Sequence, residues 1–254
     1  MNLNNKTIIV VGGAGRIGRA IVGALVQADA NVVVADVDES GLDSVAAEYG
    51  ARVMCQTLDV SDATAIRQLL SDAEQRFGSV DGAVNTAYPR NARYGAKFYE
   101  VTYDDFCENV SRHVGAYFLF MQQCAQYALH SKQPFSLVNF SSIYGVMAPR
   151  FDVYEGLPMT MPVEYAAVKA GLQHLTSYAT AYTKGTRFRV NCVSPGGILA
   201  GQNPDFLARY NAHCREKGML DAEDIVGSVL YLLSSDSAYV CGQNIVIDDG
   251  FSVG

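Results

Sequence analysis

Short apolar runs rich in β-branched residues recur along the chain, and the stretches between them carry helical periodicity. The runs are TIIVV (7–11), NVVVAD (31–36), GAVN (82–85), SLVNFS (136–141), RVNCVS (189–194) and NIVIDD (244–249). Helices are expected between them at 17–28, 41–49, 63–77, 103–129, 163–184 and 222–233. Strands that read as continuous apolar segments are buried on both faces, the signature of a parallel sheet covered by crossover helices. The pattern predicts an α/β fold: a single-domain, doubly wound parallel sheet of Rossmann type over residues 1–254. No linker-like shift of composition, low-complexity tract or repeat divides it. Two stretches, AYPRNARYGAKF (87–98) and VMAPRFDVYEGLPMTMP (146–162), are too rich in Pro and Gly for regular structure and are expected as loops. Loops at the carboxyl ends of such strands carry the ligand site.

Composition narrows the function. With 49% apolar residues in 254, one sizeable core is available. A formal charge of -7 without a basic patch argues against nucleic acid and against a membrane surface as partner. No run reaches the length of a membrane span, and the start lacks a basic stretch followed by a long apolar one, so a cytoplasmic location is expected. The six cysteines are scattered without CxxC or Cys/His clusters, so neither a disulfide framework nor a metal site is expected.

The first strand runs into GGAGRIG, with Gly12, Gly15 and Gly18 spaced by three at the opening of a helix. Such glycines allow a tight turn and let backbone N–H groups approach a pyrophosphate. Alone the pattern is weak, since glycine serves ordinary turns. Asp36 strengthens it by ending the second strand where a carboxylate would hold the adenosine ribose hydroxyls. The same carboxylate would repel the 2′-phosphate of NADP, which predicts NAD. Asp59 and Val60 are expected to close the third strand and to contact adenine, with Ser61 or Asp62 as an equally natural helix cap.

EYAAVKAG (164–171) sets Tyr165 and Lys169 one helical turn apart among small residues. A phenol with a pKa of about 10 is a poor base at neutral pH, and a nearby ammonium favours its ionised form. Tyr165 is therefore a candidate acid/base, and the bare surroundings leave room for a cofactor or another subunit. A Tyr-x-x-x-Lys pair by itself more often marks a solvated helix face.

Together these residues resemble the short-chain dehydrogenase/reductase family over essentially the whole chain. VGGAGRIG is similar to the family's cofactor turn, which implies contacts from Arg16 and Ile17 as well as the glycines, although Val11 and Arg16 depart from the usual residues there. NTAY (85–88) resembles a segment that brings in Asn85, NFSS (139–142) the serine strand with Ser142 oriented to the substrate oxygen, and YAAVK the acid/base Tyr165 with its ribose-binding partner Lys169. SPGG (194–197) resembles the segment that meets the nicotinamide, implying Pro195, Gly196 and Ile198 as contacts. The family's helix asparagine aligns with Arg112 when Gly115 is the anchor, while Asn109 lies one turn earlier and is carried as the fourth catalytic candidate. The Ser-to-Tyr gap is longer than usual, so the insertion near 146–162 should overhang the substrate pocket.

NTAYPRN, SIYGVMAPRFDVYEG and MTMPVEYA carry a narrower resemblance, to the flagellin-modification branch of the family, associated with legionaminic-acid sugars. It implies an amino-sugar or sugar-phosphate substrate. Arg90, Arg93, Lys97 and Arg150 fall in the two pocket-side loops and suit a phosphate, although loop arginines are often solvated or paired with acids such as Asp152 and Glu155. Tyr144, Tyr154 and Phe151 either stack on a sugar face or anchor the loop. His113 either faces the pocket or packs in its helix. The resulting expectation is an NAD-dependent oxidoreductase acting on a sugar-like secondary alcohol. An NAD-recycling epimerase or dehydratase and a non-catalytic dinucleotide-sensing module are the alternatives. The family commonly pairs through central helices, which implies a homodimer or homotetramer; residues 117–121 suit such a contact, as they suit the core.

Overall fold

Seven strands pair in the order β3-β2-β1-β4-β5-β6-β7, every neighbour parallel. The computed structural model describes residues 1–254. The strands are β1 (Thr7–Val11), β2 (Asn31–Asp36), β3 (Val53–Thr57), β4 (Gly82–Asn85), β5 (Phe135–Phe140), β6 (Phe188–Pro195) and β7 (Asn244–Ile247). The helices are α1 (Arg16–Gln27), α2 (Glu39–Tyr49), α3 (Ala63–Phe77), α4 (Tyr103–Val110), α5 (Ala116–Ser131), α6 (Val163–Tyr182), α7 (Pro204–Asn211) and α8 (Val226–Leu233). The chain builds outward from β1 through β2 to β3, then returns to β4 on the other side of β1. That reversal places the crevice of a doubly wound sheet between the ends of β1 and β4.

Alternate residues of each strand feed two cores. Ile8 and Val10 of β1 pack with Ile21 and Leu25 of α1 and with Val229 and Leu232 of α8. Ile9 and Val11 face the opposite layer, with Ile66 and Leu69 of α3 and Phe120 and Cys124 of α5. A strand with both faces covered has no polar positions to alternate, which is why β1 reads as an unbroken apolar run.

Departures from the expected elements have local causes. β3 is an edge strand bonded only to β2, with one fully buried position, so VMCQT does not stand out as an apolar run. It ends at Thr57; Asp59 and Val60 therefore follow the strand in a loop instead of closing it. Asp62 caps α3 by accepting from the N–H groups of Thr64 and Ala65. The helix expected over 103–129 runs to Ser131, but its centre, Ser111–Gly115, is a π turn. The helix expected from 222 begins with a 3-10 turn, Ala222–Ile225. α7 was not expected: only Phe206 and Tyr210 are buried on it, too few for a legible stripe, yet its Asn203 cap and Pro204 at the first position are a start signal. Tyr117, Phe120 and Met121 are core residues, which leaves Phe118 as the exposed large apolar side chain of that stretch.

The turn from β1 into α1 depends on absent side chains. A Cβ at Gly18 would stand 2.6 Å from the Gly13 Cα, against backbone that cannot swing aside. Overpacking of this kind costs about 1–3 kcal/mol. Gly18→Ala should therefore lower the stability measured by urea unfolding by that amount and weaken dinucleotide binding at the same time.

Candidate active site

The end of β5 and the start of α6 meet in a tight seam. Ser141 Oγ donates to the Lys169 carbonyl at 2.8 Å, and Gln173 Nε2 donates to Ser141 Oγ at 3.0 Å. Gly145 lets the following turn press on α6, since a Cβ there would lie 2.6 Å from the Lys169 carbonyl oxygen. Ser142 points away from this lock: its Oγ accepts from the Tyr144 N–H at 3.2 Å and lies on the Tyr165 side of the seam. Lys169 lies one turn after Tyr165, with Nζ 5.5 Å from the phenol ring centre, and donates to the Phe140 carbonyl at 2.9 Å. Ser142, Tyr165 and Lys169 thus converge on one cavity of about 820 Å³.

Burial dominates the ionisation of this group. It drives the Tyr165 phenol upward, with the neighbouring Ser142 hydroxyl pulling in the other direction. It pushes Lys169 down to about 7. The expected lowering of the phenol by the neighbouring ammonium is thus reversed in sign, because both groups lose water at this depth. His113 is pushed down to about 2, first by burial and then by the Lys169 charge.

The other end of the cavity is built from the glycine turn. Gly12, Gly15, Arg16, Ile17 and Gly18 line it, facing Pro195, Gly196 and Ile198. Helix α1 has no side-chain cap and no acid in its first turn. Its first N–H donors therefore remain available to an anion, and the donor set fits the diphosphate of a dinucleotide. Asp36 accepts from the Ala14 N–H at 3.0 Å and the Asp38 N–H at 3.2 Å, one bond on each oxygen. A lone pair on each oxygen is left for ribose hydroxyls. Arg16 reaches across to the Leu199 carbonyl at 2.9 Å.

Asp36, Asp59, Val60 and Asn85 stand outside the cavity lining. Asp59 accepts from both the N–H and the hydroxyl of Ser61. Asn85 is fully buried: its carbonyl accepts from the Tyr117 hydroxyl at 2.9 Å, its Oδ1 accepts from the Ala87 N–H, and its Nδ2 has no partner.

Several candidates are placed elsewhere. Asn109 makes no hydrogen bond to Lys169; it braces the loop after β4, accepting from the Asn91 N–H at 2.9 Å and donating to the Asn91 side chain at 3.1 Å, and its Nδ2 reaches Glu164 Oε1 at 3.4 Å. Arg112 pairs with Glu108 at 2.7 Å, one turn back on the surface. The side chain beside Lys169 is His113, with Nε2 3.4 Å from Nζ. Of the loop cations, Arg90 alone lines the main cavity. Arg93 is held by Asp105 at 2.9 Å, and Arg150 by the carbonyls of Phe251 and Gly254. Lys97 borders a smaller recess with Phe151, Asp152 and Glu155. Asp152 pairs with His213 at 2.9 Å, not with Arg150. Tyr144, Tyr154, Met159 and Met161 line the main cavity, so the 146–162 loop overhangs it.

Thr86, Tyr88 and Tyr210 were missed as lining residues. Thr86 Oγ1 donates to the Val11 carbonyl at 2.8 Å, and Tyr210 accepts from the Gly197 N–H at 2.6 Å, steadying the two strand ends. For Tyr210, recognition of the Asn-Pro helix start was the available signal.

Residues 12–252 match a family model described as enoyl-(acyl carrier protein) reductase. The chain is 35% identical to the post-translational flagellin modification protein A of Campylobacter coli, over 99% of this chain and 100% of that one. It is 30% identical to a Rhizobium meliloti protein named as a probable galactose dehydrogenase, over 98% of this chain and 96% of that one. A Leptospira borgpetersenii short-chain dehydrogenase crystallised with bound NAD+ superposes with a TM-score of 0.88 at 30% identity, covering 99% of this chain and 94% of its own. The parallel sheet, the uncapped glycine turn, the serine strand and the tyrosine–lysine helix agree with these full-length matches: the chain belongs to the short-chain dehydrogenase/reductase family.

Proposed function

We propose that this oxidoreductase moves a hydride between NAD and a secondary alcohol or ketone of a sugar-like substrate, an amino sugar or sugar phosphate. The observation that carries the reading is the convergence of Ser142, Tyr165 and Lys169 on a cavity whose other end is the glycine turn. A bound nicotinamide would supply the hydride acceptor or donor. Ser142 Oγ is placed to hydrogen-bond the reacting oxygen, and Tyr165 Oη to take its proton during oxidation or return it during reduction. Lys169 presents an ammonium anchored on the Phe140 carbonyl. With a pKa near 7, that group is partly protonated at neutral pH, because burial disfavours its charged form.

The lining also supports an anionic substrate. Its charged side chains are Arg16, Arg90 and Lys169, with no carboxylate among them. Arg90 lies over the Tyr88 ring at 4.9 Å, and Tyr88 in turn lies 5.9 Å from Tyr165, so this cation borders the reacting centre. A planar guanidinium there suits a phosphate through paired hydrogen bonds. The relatives named for flagellin modification and as a probable galactose dehydrogenase support a sugar, and the first supports a place in flagellin modification; that the sugar is of the legionaminic-acid type rests on the sequence resemblance alone. A cytoplasmic location fits the free, scattered cysteines. No helix is long and apolar enough to cross a membrane. Exposed Phe118 on α5 and Tyr178 and Tyr182 on α6 support pairing of copies as a homodimer or homotetramer.

Tyr165→Phe should reduce NADH turnover with keto-amino-sugar phosphates by about 10²–10⁴-fold while leaving NADH affinity within a few-fold. Full turnover in that variant would remove the catalytic assignment.

Wild-type protein should bind NADH more tightly than NADPH, and Asp36→Ala should narrow the preference by at least about tenfold, or about 1.4 kcal/mol. Titration of both cofactors against fluorescence measures it, and equal wild-type affinities contradict the choice of NAD.

Lys169 also imposes a pH signature on stability. The folded chain releases this proton near 7 and the unfolded chain near 10.5, so unfolding takes up a proton and stability rises with pH across that interval. Below the interval the destabilisation is fully present. Lys169→Met should flatten the rise, so that its stability relative to wild type falls by about 2.5 kcal/mol between about pH 6.5 and pH 9 in denaturant titrations.

A further inference from the structure

We propose that His113 is a positioning residue for Lys169: its neutral imidazole accepts a hydrogen bond from the buried ammonium and holds it facing the cavity. The inference rests on the reading of Lys169 and Tyr165 as working partners. His113 lies in the π turn at the centre of the α4–α5 rod, 2% exposed. Its ring stands edge-on to Tyr88 at 5.2 Å and tilted against Tyr117 at 5.2 Å. Nε2 lies 3.4 Å from Lys169 Nζ. The ammonium has three donors: one goes to the Phe140 carbonyl at 2.9 Å, one to His113, and one remains for the cavity that Lys169 lines.

The protonation state follows from the geometry. A charged imidazole would place two cations in contact in a buried site, and the pKa of about 2 keeps the ring neutral throughout the working range. For Nε2 to accept, the ring proton must reside on Nδ1. A bond to the charged form of Lys169 favours that form and opposes the effect of burial. The other groups around Nζ are the rings of Tyr88, Tyr117 and Tyr165 at 5.5–5.7 Å and the Cys192 thiol. No ion pair reaches it, so the imidazole is the side-chain acceptor available to the charge.

Two substitutions separate this role from packing. His113→Phe keeps a ring between Tyr88 and Tyr117 and removes the acceptor, whereas His113→Gln keeps an acceptor and removes the ring. In His113→Phe the alkaline fall of kcat for sugar oxidation should begin about one pH unit lower, a tenfold loss of proton affinity. The pH-dependent rise in stability of the protein without added cofactor should move down equally. His113→Gln should restore most of both shifts. Unchanged profiles in the Phe variant, or equal shifts in both variants, would overturn the proposal. The stability profile decides it even if Tyr165→Phe proves active, an outcome that would remove only the catalytic reading. Nitrogen NMR of the unsubstituted protein gives a third test: a proton on Nδ1 with Nε2 as acceptor is expected, and the opposite tautomer contradicts the inference.

Discussion

A cation held almost without water, at the seam of β5 and α6, is the constraint from which the rest of the site follows. Burying an ammonium costs several kcal/mol unless polar groups replace its hydration. Here the last residue of β5 supplies the carbonyl that accepts from Nζ, and the next residue, Ser141, donates to the Lys169 carbonyl. One residue of α6 is thereby gripped at both its charged tip and its backbone by two successive residues of the strand end. Ser142 follows Ser141 and is turned toward the cavity, while Tyr165, one turn before Lys169, is brought onto the same side. The relative placement of phenol, hydroxyl and ammonium is therefore a consequence of strand–helix packing and does not depend on a flexible loop.

The sheet supplies that strand end. Because all pairings are parallel, the carboxyl ends of β1, β4, β5 and β6 lie along one edge. The glycine turn, Thr86, Ser142 and Pro195 share that edge although they are distant in the chain. Tyr117 connects this edge to the opposite layer by donating to the carbonyls of Asn85 and Ala87.

What the sequence revealed and what it hid divide along physical lines. The central strands were legible because burial on both faces leaves them no polar alternation; the extent of β3 was not, because only one of its five positions is buried and VMCQT carries no unbroken apolar run. Tyr165 and Lys169 were legible because they sit one turn apart in a regular helix where spacing determines direction, and Ser142 because it closely follows a fully buried strand. His113 was not identified as the partner of Lys169, since the π turn at 111–115 breaks the 3.6-residue period on which face assignment relies. The same break bears on Arg112, the residue aligned by Gly115, and on Asn109 one turn earlier, whose hydrogen bonds go to Asn91 and Glu164 while Arg112 pairs with Glu108. Loop arginines are harder still: Arg93, Arg150 and Arg90 look alike in sequence, yet one finds Asp105, one finds backbone carbonyls and one finds the Tyr88 ring. Nothing periodic in a loop distinguishes these outcomes.

The charge distribution ties the two ends of the cavity together. The chain is acidic overall, with a formal charge of -7, yet its cavity is lined by Arg16, Arg90 and Lys169 without a carboxylate. Low-dielectric walls strengthen the field of those cations inside the cleft, while the acidic exterior repels polyanions too large to enter. Asp36 is the informative exception, because its carboxylate stands outside the lining while accepting from the Ala14 N–H within the glycine turn. A ligand with phosphates in the lining and uncharged hydroxyls at Asp36 meets a favourable field along its whole length. One with an additional phosphate at Asp36 does not, so the arrangement sorts dinucleotides by where their charge lies, while both carry phosphate.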